Sequence, residues 1–128
     1  MDVRDAVEAD AERLAEMTDS PTDVMRNLVH DRTVRVAETD DGIAGFVSFD
    51  ARERTVHVTQ LESEGGVYDR LLEEPVRFAR TERMNVELLV PEDETNTREA
   101  AEAAGFDHTG TGPAFEGQST VRYRLDPR

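Results

Sequence analysis

Apolar side chains recur at helical spacing through the first thirty residues, after a short extended segment at residues 2–5. Residues 8–17 carry one apolar stripe with charged side chains on the other side, and this pattern predicts an amphipathic helix. Residues 20–23 predict the start of a second helix, with Ser20 as the N-cap and Pro21 at the first helical position. Two helices are therefore expected before any long strand.

Three segments with strand periodicity follow, because apolar and polar residues alternate over 33–39, 43–49 and 55–61. The sequence Asp40-Asp41-Gly42 is typical of a tight hairpin turn between the first two segments. Residues 50–54 form the second predicted turn. These three strands are expected to pair as an antiparallel meander.

A helical pattern begins after Gly65-Gly66 and ends near Arg83, but Pro75 interrupts it. Proline costs about 3 kcal/mol in a helix interior and is well tolerated at the first helical position. Two interpretations therefore stay open. Either one helix kinks at Pro75, or the main helix starts at Glu74-Pro75 and the turn before it is separate.

The remaining forty residues predict a strand, a helix and a final pair of strands. Residues 86–90 are largely apolar and predict a buried strand. Asn96 and Glu99 have the spacing of a capping box for an alanine-rich helix, which Gly105 would close. A strand from Phe106, a glycine-rich loop over 110–117 and a last alternating strand over 119–125 complete the chain.

Composition describes a highly acidic chain of 128 residues, with 29 acidic and 15 basic side chains and a formal net charge of −14. Its 28 Leu, Ile, Val and Phe residues lie only slightly above the fraction of roughly 20% below which charged chains stay disordered. The regular alternation of helix and strand patterns nevertheless predicts a folded chain. Its length predicts a single domain over residues 1–128.

Every basic residue is arginine, and the chain contains no lysine. A large negative charge keeps a protein soluble in molar salt, where the Debye length falls to about 3 Å. The composition therefore resembles that of proteins from salt-in halophiles. An acidic protein from a GC-rich mesophile is the alternative, which leaves the missing lysine only partly explained.

The charge pattern excludes several classes of partner and site. The arginines are interspersed with acids rather than clustered, which argues against nucleic acid and membrane surfaces as partners. The sequence shows no apolar stretch of membrane-spanning length and no signal peptide at its start, so we expect a cytoplasmic protein. Zero cysteine excludes thiolate sites, and His30, His57 and His108 lack the spacing of metal ligands, so no metal is predicted.

The order strand, two helices, three-stranded meander, helix, strand, helix and strand pair resembles the GCN5-related N-acetyltransferase (GNAT) superfamily. The resemblance covers nearly the whole chain, and three segments of sequence contribute to it: 3–12, 41–47 and 86–106. It implies an α+β fold with three α/β/α layers. The sheet would be mixed, mostly antiparallel and twisted, with six to seven strands and about four helices.

The resemblance also implies acetyl-CoA as co-substrate, in a cleft between the fourth and fifth strands. Pyrophosphate would bind backbone amides at the start of the next helix, where unsatisfied N–H groups and the helix dipole attract anions. In the family, a Gln/Arg-x-x-Gly-x-Gly/Ala loop provides these amides. When this motif is aligned with the chain, its central glycine is Gly66, but its first position is Ser63 and its last position is Tyr68. The binding residues so implied are Thr59, Gln60 and Leu61 for the pantetheine arm, and Gly65, Gly66 and Val67 for pyrophosphate.

Three residues are candidates for the proton transfers of the reaction. By its position after Leu61, Glu62 fits the glutamate that often serves this family as general base. The family's usual acid, a tyrosine four residues before the Gly-Phe pair, is replaced by Ala101. Tyr68 and Tyr123 are the only tyrosines and are the candidates to stand in for it.

The function so implied is transfer of an acetyl group from acetyl-CoA to an unidentified amine of a small molecule or a protein. A variant that accepts a bulkier acyl chain stays open. The alternative from another class is a GNAT-like fold without catalysis that serves as a regulatory or partner-binding module, because a fold by itself does not determine function. A homodimer is compatible with the sequence.

Overall fold

The computed structural model describes residues 1–64, 66–114 and 117–127, and its centre is one mixed sheet. The strands lie in the order β1-β2-β3-β4-β5-β7-β6, with all neighbours antiparallel except β4 and β5. The predicted mixed, mostly antiparallel sheet and its meander β2-β3-β4 are confirmed. The strands are β1 (Asp2–Asp5), β2 (Thr33–Thr39), β3 (Gly42–Arg52), β4 (Thr55–Ser63), β5 (Asn85–Pro91), β6 (Asp107–Thr111) and β7 (Thr120–Leu125).

Within the described residues, four α-helices and one short 3-10 helix (Glu8–Asp10) cover the two faces of the sheet. The first two α-helices bury Leu14 and Met25 against Val36 and Phe46 on one face. The last two pack on the opposite face, in a larger core with Val47, Phe49 and Tyr123. This arrangement gives the three predicted layers. The helices are α1 (Ala11–Thr18), α2 (Thr22–Asp31), α3 (Tyr68–Glu82) and α4 (Thr95–Ala103).

The parallel pair β4 and β5 is short, and this opens the sheet. Pairing runs from Thr55 opposite Asn85 to Val58 opposite Leu88, although β4 continues to Ser63 and β5 to Pro91. At the same level β4 carries a bulge, because Ser48 of β3 pairs with Gln60 and Phe49 with Val58. Thr59 is the extra residue, and a bulge of this kind bends its strand. The two strands therefore separate beyond Val58 and Leu88.

Both predicted helix N-caps are wrong. The second helix begins one residue later than expected, with Pro21 as its N-cap, and the Ser20 hydroxyl bonds the carbonyl of Thr18 instead. In α4 the N-cap is Glu94, so Asn96 lies inside the first turn and no capping box forms. Cap spacing in a sequence does not fix the position of a helix end, because the packing of the helix selects it.

Pro75 lies inside α3, which runs unbroken from Tyr68 to Glu82, so no separate turn precedes a main helix. The proline ring is fully buried, and its burial against the core offsets the helix bond that proline cannot donate. Gly105 follows α4 with φ +95°, and the N–H of Phe106 reaches the carbonyl of Ala101 at 3.0 Å. Gly105 therefore closes this helix as the sequence predicts.

Candidate functional site

A cavity of about 470 Å³ opens where β4 and β5 separate. Both strands line it, together with the segment that leads into α4 and residues near the start of β7. Four of the predicted site residues, Thr59, Gln60, Leu61 and Glu62, line this cavity. The remaining described lining residues are Arg52, His57, Val58, Glu87, Leu88, Leu89, Val90, Pro91, Glu94, Thr97, Pro113 and Thr120.

The pairing register determines which face of the sheet Glu62 occupies. Glu62 lies opposite Phe46, whose side chain is fully buried against α1 and α2, and directly opposed residues of an antiparallel pair share a face. Leu61 points to the other face and is buried with α3. Glu62 therefore lies on the α1–α2 face, inside β4 rather than in the loop after it.

Glu62 is half-buried and accepts no hydrogen bond from any described residue. Burial raises the pKa of its carboxyl above the ordinary value, and the nearby charge of Glu94 raises it further. Glu94 is open to solvent on one side and lines the cavity on the other. Partial burial, followed by the neighbouring charge of Asp93, raises the pKa of Glu94 as well. Two carboxyl groups that hold protons more tightly than usual thus lie at the upper end of the cleft, which is the end beside the last residues of β4.

The bulged residue Thr59 is fixed by the neighbouring strand. Its hydroxyl lies 2.6 Å from the hydroxyl of Ser48 and donates to the Ser48 carbonyl at 3.2 Å. Beyond Val58 the β4 edge that faces β5 has no strand partner among the described residues. An open strand edge presents N–H and C=O groups that an extended ligand can pair with.

The segment between β4 and α3 contains the predicted phosphate loop. Gly66 has φ +77°, a conformation that strains any residue with a side chain, and a Cβ there would meet no atom within 4 Å. The N–H of Val67, the N-cap of α3, donates to Ser63 Oγ at 2.8 Å. Gly65 lies outside the described residues.

An ion pair draws Glu64 toward α1. Arg13 Nη2 lies 2.8 Å from Glu64 Oε2, and the same nitrogen donates to the Ile43 carbonyl at 3.2 Å. The side chain of Glu64, which the sequence places beside the phosphate loop, is therefore paired with a guanidinium. Pairing removes much of the repulsion that this carboxylate would exert on an anion at the start of α3.

Tyr68, the first residue of α3, lines a second cavity of about 280 Å³ together with the start of α4. Its ring is half-buried and packs against the main core. Glu94 and Thr97 line both cavities, so the second one adjoins the cleft.

Tyr123 lies elsewhere. It is fully buried in β7, where its hydroxyl donates to Glu102 Oε2 at 2.9 Å and accepts from Arg98 Nε at 3.2 Å. It is not among the described residues that line either cavity. Ala101 is likewise buried within α4.

The sequence did not predict a cluster of charges at the lower end of the cleft, which is the end beside the first residues of β4 and β5. Glu87 of β5 lies 3.4 Å from Arg124 Nη1, 3.8 Å from Arg122 Nε and 3.8 Å from His57 Nδ1. His57 and Glu87 lie opposite each other in the parallel pair, while the arginines belong to β7. The alternation of residues along each strand indicates which side chains share a face of that strand. It does not indicate which strands are neighbours, because that depends on the strand order of the sheet.

Among the residues that the structure describes, no three His, Asp or Glu side chains are arranged to hold a metal ion. Within the same residues, no helix is both long enough and apolar enough to cross a membrane.

Comparison by sequence finds no match to a family model or to a curated protein. Solved structures do match. A protein from Desulfovibrio desulfuricans assigned to the GNAT family of acetyltransferases is 24% identical, with 99% of each chain covered and a TM-score of 0.78. Salmonella typhimurium yncA, assigned as an acetyltransferase and solved with acetyl-CoA, is 18% identical, with 100% of this chain and 94% of that chain covered and a TM-score of 0.84.

Ribosomal-protein-alanine N-acetyltransferase from Brucella melitensis is 16% identical, with 98% of this chain and 99% of that chain covered and a TM-score of 0.84. Similarity over nearly the full length of both chains shows that this chain has the fold of the GNAT acetyltransferases. The fold implied by the order of elements in the sequence is thereby confirmed.

Proposed function

We propose that the chain is an acetyl-CoA-dependent N-acetyltransferase that acts on an amine. The separation of β4 and β5 beyond Val58 and Leu88 carries this proposal, because it opens a cleft with an unpaired strand edge and a half-buried glutamate. A fold hosts many functions, so the cleft and its residues support this function and the architecture alone does not.

The residues of the cleft fit the parts of acetyl-CoA. The backbone of Thr59, Gln60 and Leu61 offers hydrogen-bonding groups for the amide-containing pantetheine arm. At the start of α3, Gly66 leaves open space where a side chain would stand, so an anion can approach the backbone there. We assign the pyrophosphate to this loop, with Gly65, Gly66 and Val67 as its binding residues.

Acetyl-CoA supplies an activated acetyl thioester, and Glu62 supplies the base. An attacking amine must lose a proton, and a carboxylate with a raised pKa is a better base near neutral pH than an ordinary glutamate. Of the two candidate acids, Tyr68 borders the cavity that adjoins the cleft, whereas the Tyr123 hydroxyl is engaged by Arg98 and Glu102. We therefore assign the acid role to Tyr68 and count positioning in the cleft as a major part of the catalysis.

We also propose that residues 1–128 form one domain and that the protein is cytoplasmic. The lysine-free acidic composition supports adaptation to high salt.

Titration calorimetry with acetyl-CoA, followed by an assay of CoA release with a panel of primary amines, tests the proposal. Both measurements belong in high KCl as well as in dilute buffer, with circular dichroism to establish that the protein is folded. Binding tighter than about 1 mM with amine-dependent release of CoA is the expected result, and that affinity corresponds to roughly −4 kcal/mol. A folded protein that does not bind acetyl-CoA would overturn it.

One observation favours the alternative of a GNAT-like module without catalysis. The Val67 N–H, which the phosphate loop needs as a donor, is held by Ser63 Oγ. While this hydrogen bond is made, the loop has one N–H donor fewer for pyrophosphate. Weaker binding of acetyl-CoA would leave the fold as a partner-binding module. The same calorimetric titration distinguishes the two, since the module predicts no acetyl-CoA binding in folded protein.

A further inference from the structure

Charged side chains on one face of the cleft separate into a cationic end and an anionic end. Arg52 lies opposite Thr55 at the lower end of β4, and Glu62 lies near the upper end of the same strand. The pairing register places both side chains on the α1–α2 face, because alternate residues of a strand share a face. Arg52 is two residues beyond Asp50, which lies opposite His57. After the bulge, Gln60 and Glu62 lie on this same face. Arg52, His57 and Glu62 all line the 470 Å³ cavity.

Most of the other charges on this face are already compensated. Asp50 is paired with Arg32. Glu87 is paired with Arg122 and Arg124, and His57 lies beside it at 3.8 Å.

Three charges that line the cavity lack a partner within the described part of the chain. Arg52 forms no ion pair or hydrogen bond there, and neither carboxylate, Glu62 or Glu94, has an ion-pair partner. The cleft thus offers an unpaired guanidinium at one end and two unpaired carboxylates at the other.

We propose that the acceptor is an elongated amino acid, with its amine at Glu62 and Glu94 and its carboxylate on Arg52. This inference rests on the proposed acetyltransferase function and specifies its substrate class. An ammonium ion is attracted to the two carboxylates before it loses its proton, while the arginine fork matches a carboxylate in bidentate geometry. A simple amine would leave Arg52 without a partner.

The length of the strand sets the spacing of the two groups. Thr55 and Glu62 are separated by seven positions of β4, about 23 Å at the usual rise per residue and less across a bulge. The long side chains of Arg52 and Glu62 shorten this span from both ends. The amine and the carboxylate of the acceptor are therefore separated by several bonds, as in an ω-amino acid, and not by one carbon as in glycine.

A panel of three acceptors tests this inference: 6-aminohexanoate, its decarboxylated counterpart n-pentylamine, and glycine. The assay measures CoA release at the lowest KCl concentration at which the protein is folded, because salt screens the interaction with Arg52. We expect kcat/KM for 6-aminohexanoate to exceed that of both other amines by about tenfold or more. Equal rates with n-pentylamine would overturn the inference.

The substitution Arg52→Gln should raise KM for 6-aminohexanoate about tenfold, leave kcat within about twofold and leave n-pentylamine unaffected. Arg54→Gln is the matched control. Arg54 is exposed in the adjacent turn, has no ion-pair partner among the described residues and is not one of the described residues that line the cavity. Arg52→Lys should restore part of the preference. Equal effects of Arg52→Gln and Arg54→Gln would also overturn the inference.

Titration with acetyl-CoA alone distinguishes failure of the proposed acceptor class from failure of the proposed acetyltransferase function. Normal acetyl-CoA binding without a preference for the ω-amino acid refutes the acceptor class and leaves the proposed function intact. Absence of acetyl-CoA binding refutes both.

Discussion

The hydroxyl oxygen of Ser63 accepts a hydrogen bond of 2.8 Å from the backbone N–H of Val67, so the last residue of β4 holds the amide of the residue that precedes α3. This contact links the stability of the helix to the candidate phosphate loop. Each donor at a helix start can serve either a side-chain cap or a bound anion.

Replacing Ser63 with alanine should therefore have opposite effects on stability and on binding. Loss of this hydrogen bond is expected to cost about 1 kcal/mol of unfolding free energy. Release of the Val67 N–H should tighten acetyl-CoA binding severalfold, measured by calorimetry. Weaker or unchanged binding would show that the Val67 amide is not a ligand of the pyrophosphate.

Gly66 and Gly42 provide a matched pair for testing the loop itself. Both have positive φ, +77° and +110°, and a Cβ at either position meets no atom within 4 Å, so alanine strains only the backbone. We expect each substitution to lower unfolding free energy by about 1–2 kcal/mol. Only Gly66→Ala should weaken acetyl-CoA binding, because Gly42 is the first residue of β3, in the hairpin with β2. Equal binding by the two variants would refute a phosphate site at Gly66.

The ion pair between Arg13 and Glu64 should matter for co-substrate affinity although neither residue is proposed to touch the ligand. Arg13→Gln leaves the Glu64 carboxylate unpaired beside the loop, and we expect weaker acetyl-CoA binding, most clearly at low salt. The double variant Arg13→Gln with Glu64→Gln should recover the affinity. A double variant as weak as the single one would mean that Arg13 acts on the fold rather than through Glu64.

Glu62 should oppose stability while it supports activity. Its pKa is raised by burial in the folded protein, so its ionisation costs no stability below the unfolded pKa and lowers stability as pH rises through the folded value. At neutral pH Glu62→Gln should therefore raise the melting temperature by a few degrees while it lowers kcat by about 100-fold or more. A variant with lower stability and full activity would contradict the assigned role.

The same reasoning gives a pH test. Removing the charge of Glu94 removes one cause of the raised pKa of Glu62, so Glu94→Gln should move the acid limb of kcat/KM to lower pH. His57, Glu87 and Arg52 also line the cavity, and Glu87→Gln serves as the control for a more distant charge. An acid limb that stays in place in Glu94→Gln would exclude Glu62 as the group that sets it.

The acidic surface should make stability depend on salt. Repulsion within a chain of formal net charge −14 is weakened by screening, so the unfolding midpoint should rise between about 0.1 M and about 2 M KCl. Thermal unfolding followed by circular dichroism provides the measurement. A midpoint that does not change would contradict adaptation to high salt.

The sequence by itself determined the order of the main helices and strands, because periodicity and turn residues are local properties. Strand alternation over 33–39 and the Asp40-Asp41-Gly42 turn fixed the first hairpin, and Gly105 marked the end of α4. The resemblance to the GNAT superfamily, together with the position of Glu62 directly after Leu61, made Glu62 a candidate base. The helix starts at Thr22 and Thr95 were misplaced, since competing caps have similar energies and packing decides between them.

Only the tertiary structure decided which charges meet in the cleft. Arg13 reaches Glu64 across 51 positions of sequence, and Glu87 contacts arginines of β7 more than thirty positions away. Such contacts depend on strand order and on the bulge at Thr59, which set where β4 and β5 separate. A local sequence pattern does not predict these contacts, because the pairing energy of a sheet comes from residues that are far apart along the chain.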